Sequence, residues 1–191
     1  MTALVVATGN PGKVKEIEPY LAGLNWELQL KPPELEMEET GTTFRENAAQ
    51  KATQVAIATE QWAIADDSGL EVMALGGRPG IYSARYAESD QARIAKLLAE
   101  LGDIADRRAQ FVCAIALSRP DGTIALLTEG VCAGEILTAP RGEGGFGYDP
   151  IFYVPEQGMT FSEMPLEVKQ EISHRGRAFQ EILPQIRAIE V

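Results

Sequence analysis

The sequence predicts an α/β protein. Strand-like and helix-like stretches alternate through the first half of the chain. A long alternating run with a sharp turn then marks a hairpin. The 191 residues, 45% of them apolar, are enough to bury a core and are read as one domain spanning 1–191.

Leu4 to Ala7 is apolar and reads as a first strand, in an amino-terminal run (Met1 to Ala7) with no basic segment ahead of it. Gly9-Asn10-Pro11-Gly12 breaks it, and Lys13 to Leu24 has helical character. Asn10 suits an N-cap and Pro11 the first helical position. Trp26 to Leu30 is a second strand. Lys31 to Gly41 is acidic, carries Pro32 and Pro33, and reads as a loop. An alanine-rich helix follows from Thr43 to Thr59. Thr43 with Glu46 three residues on fits a capping box, which accounts for Glu46. Phe44, Ala48, Lys51, Val55 and Ala58 fall on one face of that helix. A lysine on such a stripe either extends to solvent or meets an anion.

Trp62-Ala63-Ile64 reads as a buried strand ending at Ala65-Asp66-Asp67-Ser68-Gly69-Leu70. Adjacent carboxylates at a core rim are costly unless a cation or proton offsets them. Asp, Ser and Gly are also ordinary turn residues, so a solvated turn is the competing reading. Leu70 to Leu75 resumes as strand, Gly76 to Tyr86 is loop, and Asp90 to Leu101 has helical spacing. Phe111, Cys113, Ile115 and Leu117 alternate with small residues, Pro120-Asp121-Gly122 turns the chain, and Thr123 to Leu127 returns. Gly142 to Gly147 is irregular and Asp149 to Val154 is strand. Pro165 to Gln170 is a short helix, and Ser173 to Ile189 a closing helix disturbed at Pro184.

A net charge of −11 argues against a general nucleic-acid binder, which presents a basic surface. No apolar run approaches the roughly 20 residues needed to span a bilayer, so no membrane role is expected. Cys113 and Cys132 sit in apolar runs and read as buried free thiols, consistent with a cytoplasmic protein.

Four constellations could carry chemistry. Thr8-Gly9-Asn10-Pro11-Gly12-Lys13 lies between strand and helix, where backbone N–H groups favour an anion and Lys13 adds charge. A capped helix with no ligand is the alternative, and the Walker spacing is absent. Glu38-Glu39-Thr40-Gly41, paired with Asp66 and Asp67, offers the hard oxygens that Mg²⁺ prefers. By itself it is a solvated charge run. Gly144 to Pro150 surrounds Phe146 and Tyr148 with glycine, which suits stacking on a planar base or simply a loop packed into the core. Lys169, Ser173, His174, Arg175 and Arg177 gather around a helix start, where the dipole disfavours cations unless an anion or electron-rich ligand sits opposite.

These blocks, together with Glu39-x-Gly41-x-Thr43-Phe44-x-Glu46-Asn47-Ala48 and Pro79-Gly80-Ile81-Tyr82-Ser83-Ala84-Arg85, resemble the inosine triphosphate pyrophosphatase family, in the family's order and over nearly the whole chain. The resemblance implies an elongated α/β fold with a long curved mixed sheet flanked by helices, and two lobes around a central cleft. It implies a homodimer and Mg²⁺-dependent hydrolysis of ITP, dITP and XTP to monophosphate and pyrophosphate. Mn²⁺ accepts similar ligands. By the same resemblance, Thr8, Gly9, Asn10, Pro11, Gly12, Lys13 and Lys51 hold the triphosphate. Glu39 and Asp67 hold the metal, and Asp67 is also the general base. Ser68 touches substrate, while Phe146, Gly147, Tyr148, Asp149, Lys169, His174 and Arg175 form the base pocket. Three rival readings are a pyrophosphatase for modified pyrimidines, a nucleotide-binding module without turnover, and a plain phosphatase.

Overall fold

The computed structural model describes residues 2–189. Met1 of the expected amino-terminal run, and Glu190 and Val191 of the expected domain, lie outside them. Seven strands are present among the described residues: β1 (Thr2–Val6), β2 (Trp26–Leu30), β3 (Trp62–Val72), β4 (Arg108–Ser118), β5 (Ile124–Ile136), β6 (Phe152–Val154) and β7 (Met159–Thr160). Five α-helices accompany them: α1 (Pro11–Leu21), α2 (Phe44–Thr59), α3 (Asp90–Leu101), α4 (Leu166–Ile172) and α5 (His174–Arg187). The strands form one sheet in the order β2-β1-β3-β4-β5-β6-β7. β1 pairs in parallel with β2 and β3, whereas β5–β6 and β6–β7 are antiparallel, so the sheet is mixed.

The described residues divide into two compact units. The first comprises those up to Asp67, Cys113–Gly130 and those from Arg177 onward; the second comprises Ser68–Val112 and Val131–Gly176. Each has its own core. In the first, Leu4, Val6, Ile17, Ile115 and Phe179 pack together, and Tyr20 stacks on Phe179 with ring centroids 4.4 Å apart. In the second, Leu70, Leu97, Ile151, Phe152 and Phe161 pack around Phe111. Each fully buried Leu or Phe contributes about 1.5–3 kcal/mol through the water its surface no longer touches.

Local chemistry sets the element ends that matter for the site. Asn10 caps α1 by accepting from the amides of Gly12 and Lys13, with Pro11 at the first turn, as its residue types predict. Thr43 caps α2 by accepting from the Glu46 amide. The reciprocal half of the box is displaced by one residue: Glu46 Oε2 accepts from both the amide and the hydroxyl of Thr42. Along α2, Phe44, Ala48, Lys51 and Val55 are buried as the spacing predicts, while Ala58 is exposed.

The largest departure concerns Asp66 and Asp67. They do not end a strand or form a turn; β3 runs unbroken for eleven residues through both of them to Val72. The expected Leu70–Leu75 strand is therefore the end of β3, and Met73–Leu75 is a single 3₁₀ turn. Smaller departures lie elsewhere in the chain. Gly80–Arg85 coils into a 3₁₀ helix, β5 extends to Ile136, and Asp149–Ile151 is a 3₁₀ turn ahead of β6. α5 continues through Pro184. Cys113 and Cys132 are free and buried.

Candidate active site

Successive residues of a strand point to opposite faces. Continuity of β3 therefore sends the two adjacent carboxylates apart, and each meets its own lysine. Lys13 Nζ lies 3.0 Å from Asp66 Oδ2, and Lys51 Nζ lies 3.1 Å from Asp67 Oδ1. The Cys113 thiol approaches the same Asp66 oxygen at 3.9 Å. All these residues belong to the first unit. The cost of two neighbouring buried charges is offset by two cations supplied from α1 and α2.

Lys51 also binds Glu39, with Nζ 3.0 Å from Oε1. The lysine on the inward stripe of α2 thus meets anions and does not extend to solvent. Burial works against its charge, but the carboxylates of Asp67, Asp66 and Glu39 outweigh burial and hold its pKa above the ordinary lysine value. Asp67 moves the other way from a usual ion-paired acid. Burial raises its pKa above the ordinary carboxylate value despite the opposing pull of Lys51 and Lys13. The result is a carboxylate more basic than usual beside an ammonium whose charge the surrounding acids favour.

Among the described residues no group of three or more His, Cys, Asp or Glu side chains converges as a ready-made metal cage. Two carboxylates do converge on the Lys51 ammonium. Asp67 Oδ2 is buried without a hydrogen-bond partner, which leaves an oxygen lone pair aimed at nothing in the protein. A pair of hard oxygens with one acceptor spare fits Mg²⁺, which takes one or two protein carboxylates and completes its shell with water and phosphate.

The loop before α1 is more self-satisfied than its composition suggests. Thr8 Oγ1 accepts from the Asn10 amide, and Asn10 Oδ1 takes those of Gly12 and Lys13 at 2.9 and 3.3 Å. These donors serve the helix cap. The charge of Lys13 is the loop's main attraction for an anion.

Apart from Arg177, which falls in the first unit, the remaining candidates belong to the second. Lys169 is buried and contacts Asp149 Oδ2 at 2.6 Å, while the ring faces of Phe146 and Phe161 lie 5.3 and 5.4 Å from its Nζ. Asp149 Oδ2 also accepts the Phe146 amide at 3.0 Å. The backbone closes so tightly here that a Cβ on Gly145, at φ +73°, would lie 2.1 Å from Asp149 Oδ2. Gly147 donates its amide to Asp90 at the start of α3. Tyr148 is buried in the core and its hydroxyl donates to the Ser83 carbonyl, so its ring is not an open platform. The half-buried Phe146 is the aromatic that remains accessible. His174 is buried and stacked on Phe111, with centroids 4.7 Å apart. Ser173 Oγ accepts the Gly176 amide at the start of α5. Arg175, also buried, donates to Ser68 Oγ at 3.0 Å.

Asp90, Phe111 and Phe161 were not among the sequence candidates. Asp90 looks like any first-turn acid, and the two phenylalanines look like any core residues. Only contacts distant in sequence distinguish them.

The chain is similar to known proteins over nearly its whole length. A family model described as the Ham1 family matches residues 4–185. A dITP/XTP pyrophosphatase from Nostoc sp. is 61% identical over 97% of this chain and 95% of its own length. Its counterpart from Synechocystis sp. is 57% identical with the same coverage. Among solved structures, a HAM1 protein from Coxiella burnetii superposes with a TM-score of 0.91 at 40% identity, covering 99% of this chain and all of that one. The Staphylococcus aureus Ham1 protein gives 0.86 at 45% identity, covering 96% and 97%.

Proposed function

The chain belongs to the Ham1 family, and from that premise we propose that it is a nucleoside triphosphate pyrophosphatase. It hydrolyses the deaminated purine nucleotides ITP, dITP and XTP to the monophosphate and pyrophosphate. The observation that carries the chemistry is the convergence of Asp67 and Glu39 on Lys51, with a spare, buried oxygen left on Asp67.

Glu39 and Asp67 would hold a divalent cation, Mg²⁺ or Mn²⁺. Bound there, it supplies charge neutralisation for the phosphates and makes an attacking water more acidic. Asp67 would take the proton from the water that attacks the α-phosphorus, and in the metal-free protein burial raises its pKa above the ordinary carboxylate value. Lys51 stays charged and, with Lys13, takes up negative charge that builds on the leaving pyrophosphate. Thr8 to Gly12 shape the loop that presents Lys13. Residues that already hold two lysines against carboxylates exchange those partners for phosphate oxygens with little reorganisation.

The base is the task of the second group. Phe146 offers a ring, and Gly147 to Asp149 fix the loop behind it. Lys169, His174 and Arg175 supply donors for a 6-oxo group, which the 6-amino group of adenine does not satisfy; Ser68 touches the substrate beside Arg175. One Lys169 donor goes to Asp149 Oδ2 at 2.6 Å, which fixes where the ammonium points. A site built around a hydrogen bond rejects a partner lacking it by large factors. The active form is a homodimer in the cytoplasm. Among the described residues no helix is long and apolar enough to cross a membrane.

The test is product analysis. ITP with Mg²⁺ yields IMP and pyrophosphate, and Asp67→Asn lowers kcat by about 10²–10⁴-fold. Release of orthophosphate, binding without turnover, or equal turnover of ITP, XTP, dUTP and methylated pyrimidine triphosphates would each remove the proposal.

A further inference from the structure

Glu39 sits on the acidic segment before α2, a stretch with no helix or strand of its own. Such a segment would ordinarily be mobile, which is a poor mount for a metal ligand. Four side chains of α2 bind it instead. Gln54 is engaged twice by Glu38: its Oε1 accepts the Glu38 amide at 2.8 Å and its Nε2 donates to the Glu38 carbonyl at 2.9 Å. Gln50 grips Thr40 in the same reciprocal manner, taking its amide and donating to its hydroxyl, both at 3.0 Å. Asn47 Oδ1 accepts the Gly41 amide at 2.8 Å, and Glu46 accepts from Thr42.

The register has a simple geometric origin. Partners run 38 to 54, 40 to 50, 41 to 47 and 42 to 46, antiparallel to the helix. Two residues of extended chain advance about 6.6 Å. Four residues of helix advance about 6.0 Å and return to the same face. The steps from 38 to 40 and from 54 to 50 therefore match. The segment also lies close against α2: a Cβ on Gly41 would come within 2.7 Å of both Asn47 Oδ1 and Glu46 Cβ. Glu39 is the residue between the two gripped positions. Lys51, next to Gln50 on the helix, receives its carboxylate.

We propose that Gln50 and Gln54 are positioning residues for Glu39, a pair of amide clamps that fix the backbone on either side of the metal ligand before any metal arrives. The inference rests on the metal-ligand reading of Glu39 given above. Its physical content is entropic. Ordering a free segment costs conformational entropy at every residue. Where the clamps have already ordered it, binding does not meet that cost.

The double variant Gln50→Met/Gln54→Met keeps side-chain length and helix propensity and removes the amides. Hydrogen exchange should accelerate at the Glu38 and Thr40 amides while α2 stays protected. Mn²⁺ affinity, read by calorimetry on the protein alone, should weaken about tenfold, the lower end for groups that orient a metal ligand. The Mg²⁺ concentration for half-maximal ITP hydrolysis should rise by a similar factor, with kcat at saturating metal changed by less than about twofold. The single variant Gln54→Met, expected to show a smaller loss in the same direction, serves if the double variant does not fold.

Accelerated exchange with unchanged Mn²⁺ affinity would overturn the proposal, since the clamps would then be structural only. Unchanged exchange would overturn it as well. Glu39→Gln is measured alongside. If it weakens Mn²⁺ binding and the clamp variants do not, the clamp alone fails. If Glu39→Gln has no effect on Mn²⁺, the metal reading fails and the clamp with it.

Discussion

Asp66 and Asp67 are neighbours in sequence and opposites in surroundings. One carboxylate faces Lys13 and a thiol, and the other faces Lys51 and Glu39. On the proposed mechanism, this division leaves Asp67 to act as base while Asp66 orients Lys13. Because burial raises the pKa of Asp67, its deprotonated form in the metal-free protein is gained as pH rises through a value above that of an ordinary carboxylate. Removing the ammonium that opposes this shift raises the value further. Lys51→Met should therefore raise the Asp67 pKa in the metal-free protein, read by NMR titration of its carboxyl carbon, and lower kcat/KM in the metal-loaded assay. A carboxyl that titrates where it does in the parent would show that Lys51 does not act on it. Gly145 gives a second expectation at this scale. At φ +73° and with a Cβ destined to strike Asp149, Gly145→Ala should displace the carboxylate that holds Lys169. KM for XTP or dITP should then rise about ten- to hundredfold, with a smaller effect on kcat. Equal losses in both parameters would place the glycine elsewhere in the mechanism.

Elements contribute by what they immobilise. α2 does so twice, burying Lys51 on one face and holding the Glu38–Thr42 segment on another. The glycine-rich stretch before β6 is tied down by a different device. Arg141 meets Glu163 through two nitrogens, both at 3.0 Å. Glu163 also accepts the Thr160 amide, and Thr160 Oγ1 donates to the Arg141 carbonyl. Hydrogen bonds from Arg141 hold the Glu163 carboxyl below its ordinary pKa of 4.5. A depressed acid contributes stability that is present above its ordinary value and lost as pH falls through the lower, folded value. Glu163→Gln should accordingly lower the melting temperature at pH 7, and the gap to the parent should close as pH falls below 4.5. A gap independent of pH would mean that the charge contributes nothing and that only packing was disturbed.

At the scale of the molecule, the charge balance explains how a chain of net charge −11 can take a polyanion. The first unit concentrates two of the chain's 17 lysine and arginine side chains on three carboxylates, and the proposed cation adds to them. In the absence of metal the two lysines offset two of the three carboxylate charges, and Lys51 contacts both proposed ligands. Chelation with EDTA should thus abolish hydrolysis while leaving the far-ultraviolet circular dichroism and melting temperature nearly unchanged. Mg²⁺ or Mn²⁺ should restore activity. Unfolding on chelation would point to a structural metal instead. The homodimer is tested by sedimentation equilibrium, which should return twice the chain mass of 20.7 kDa.

Much of this protein was determined by its sequence alone. Local rules act between residues a few positions apart, so the cap at Asn10, the start of α2 at Thr43, the span of α3 and the inward stripe with Lys51 were all legible, as were the blocks that mark the family. The tertiary structure decided what those rules do not reach. Asp66-Asp67-Ser68-Gly69 has the composition of a turn, yet pairing within the sheet keeps it extended. Only that extension separates the two carboxylates and assigns each its lysine. Whether Tyr148 presents its ring or buries it, and whether Gln50 and Gln54 face water or the Glu39 segment, depended likewise on partners far along the chain. A buried charge or an unpaired amide is stabilised only by the group that reaches it, and which group reaches it is a property of the fold.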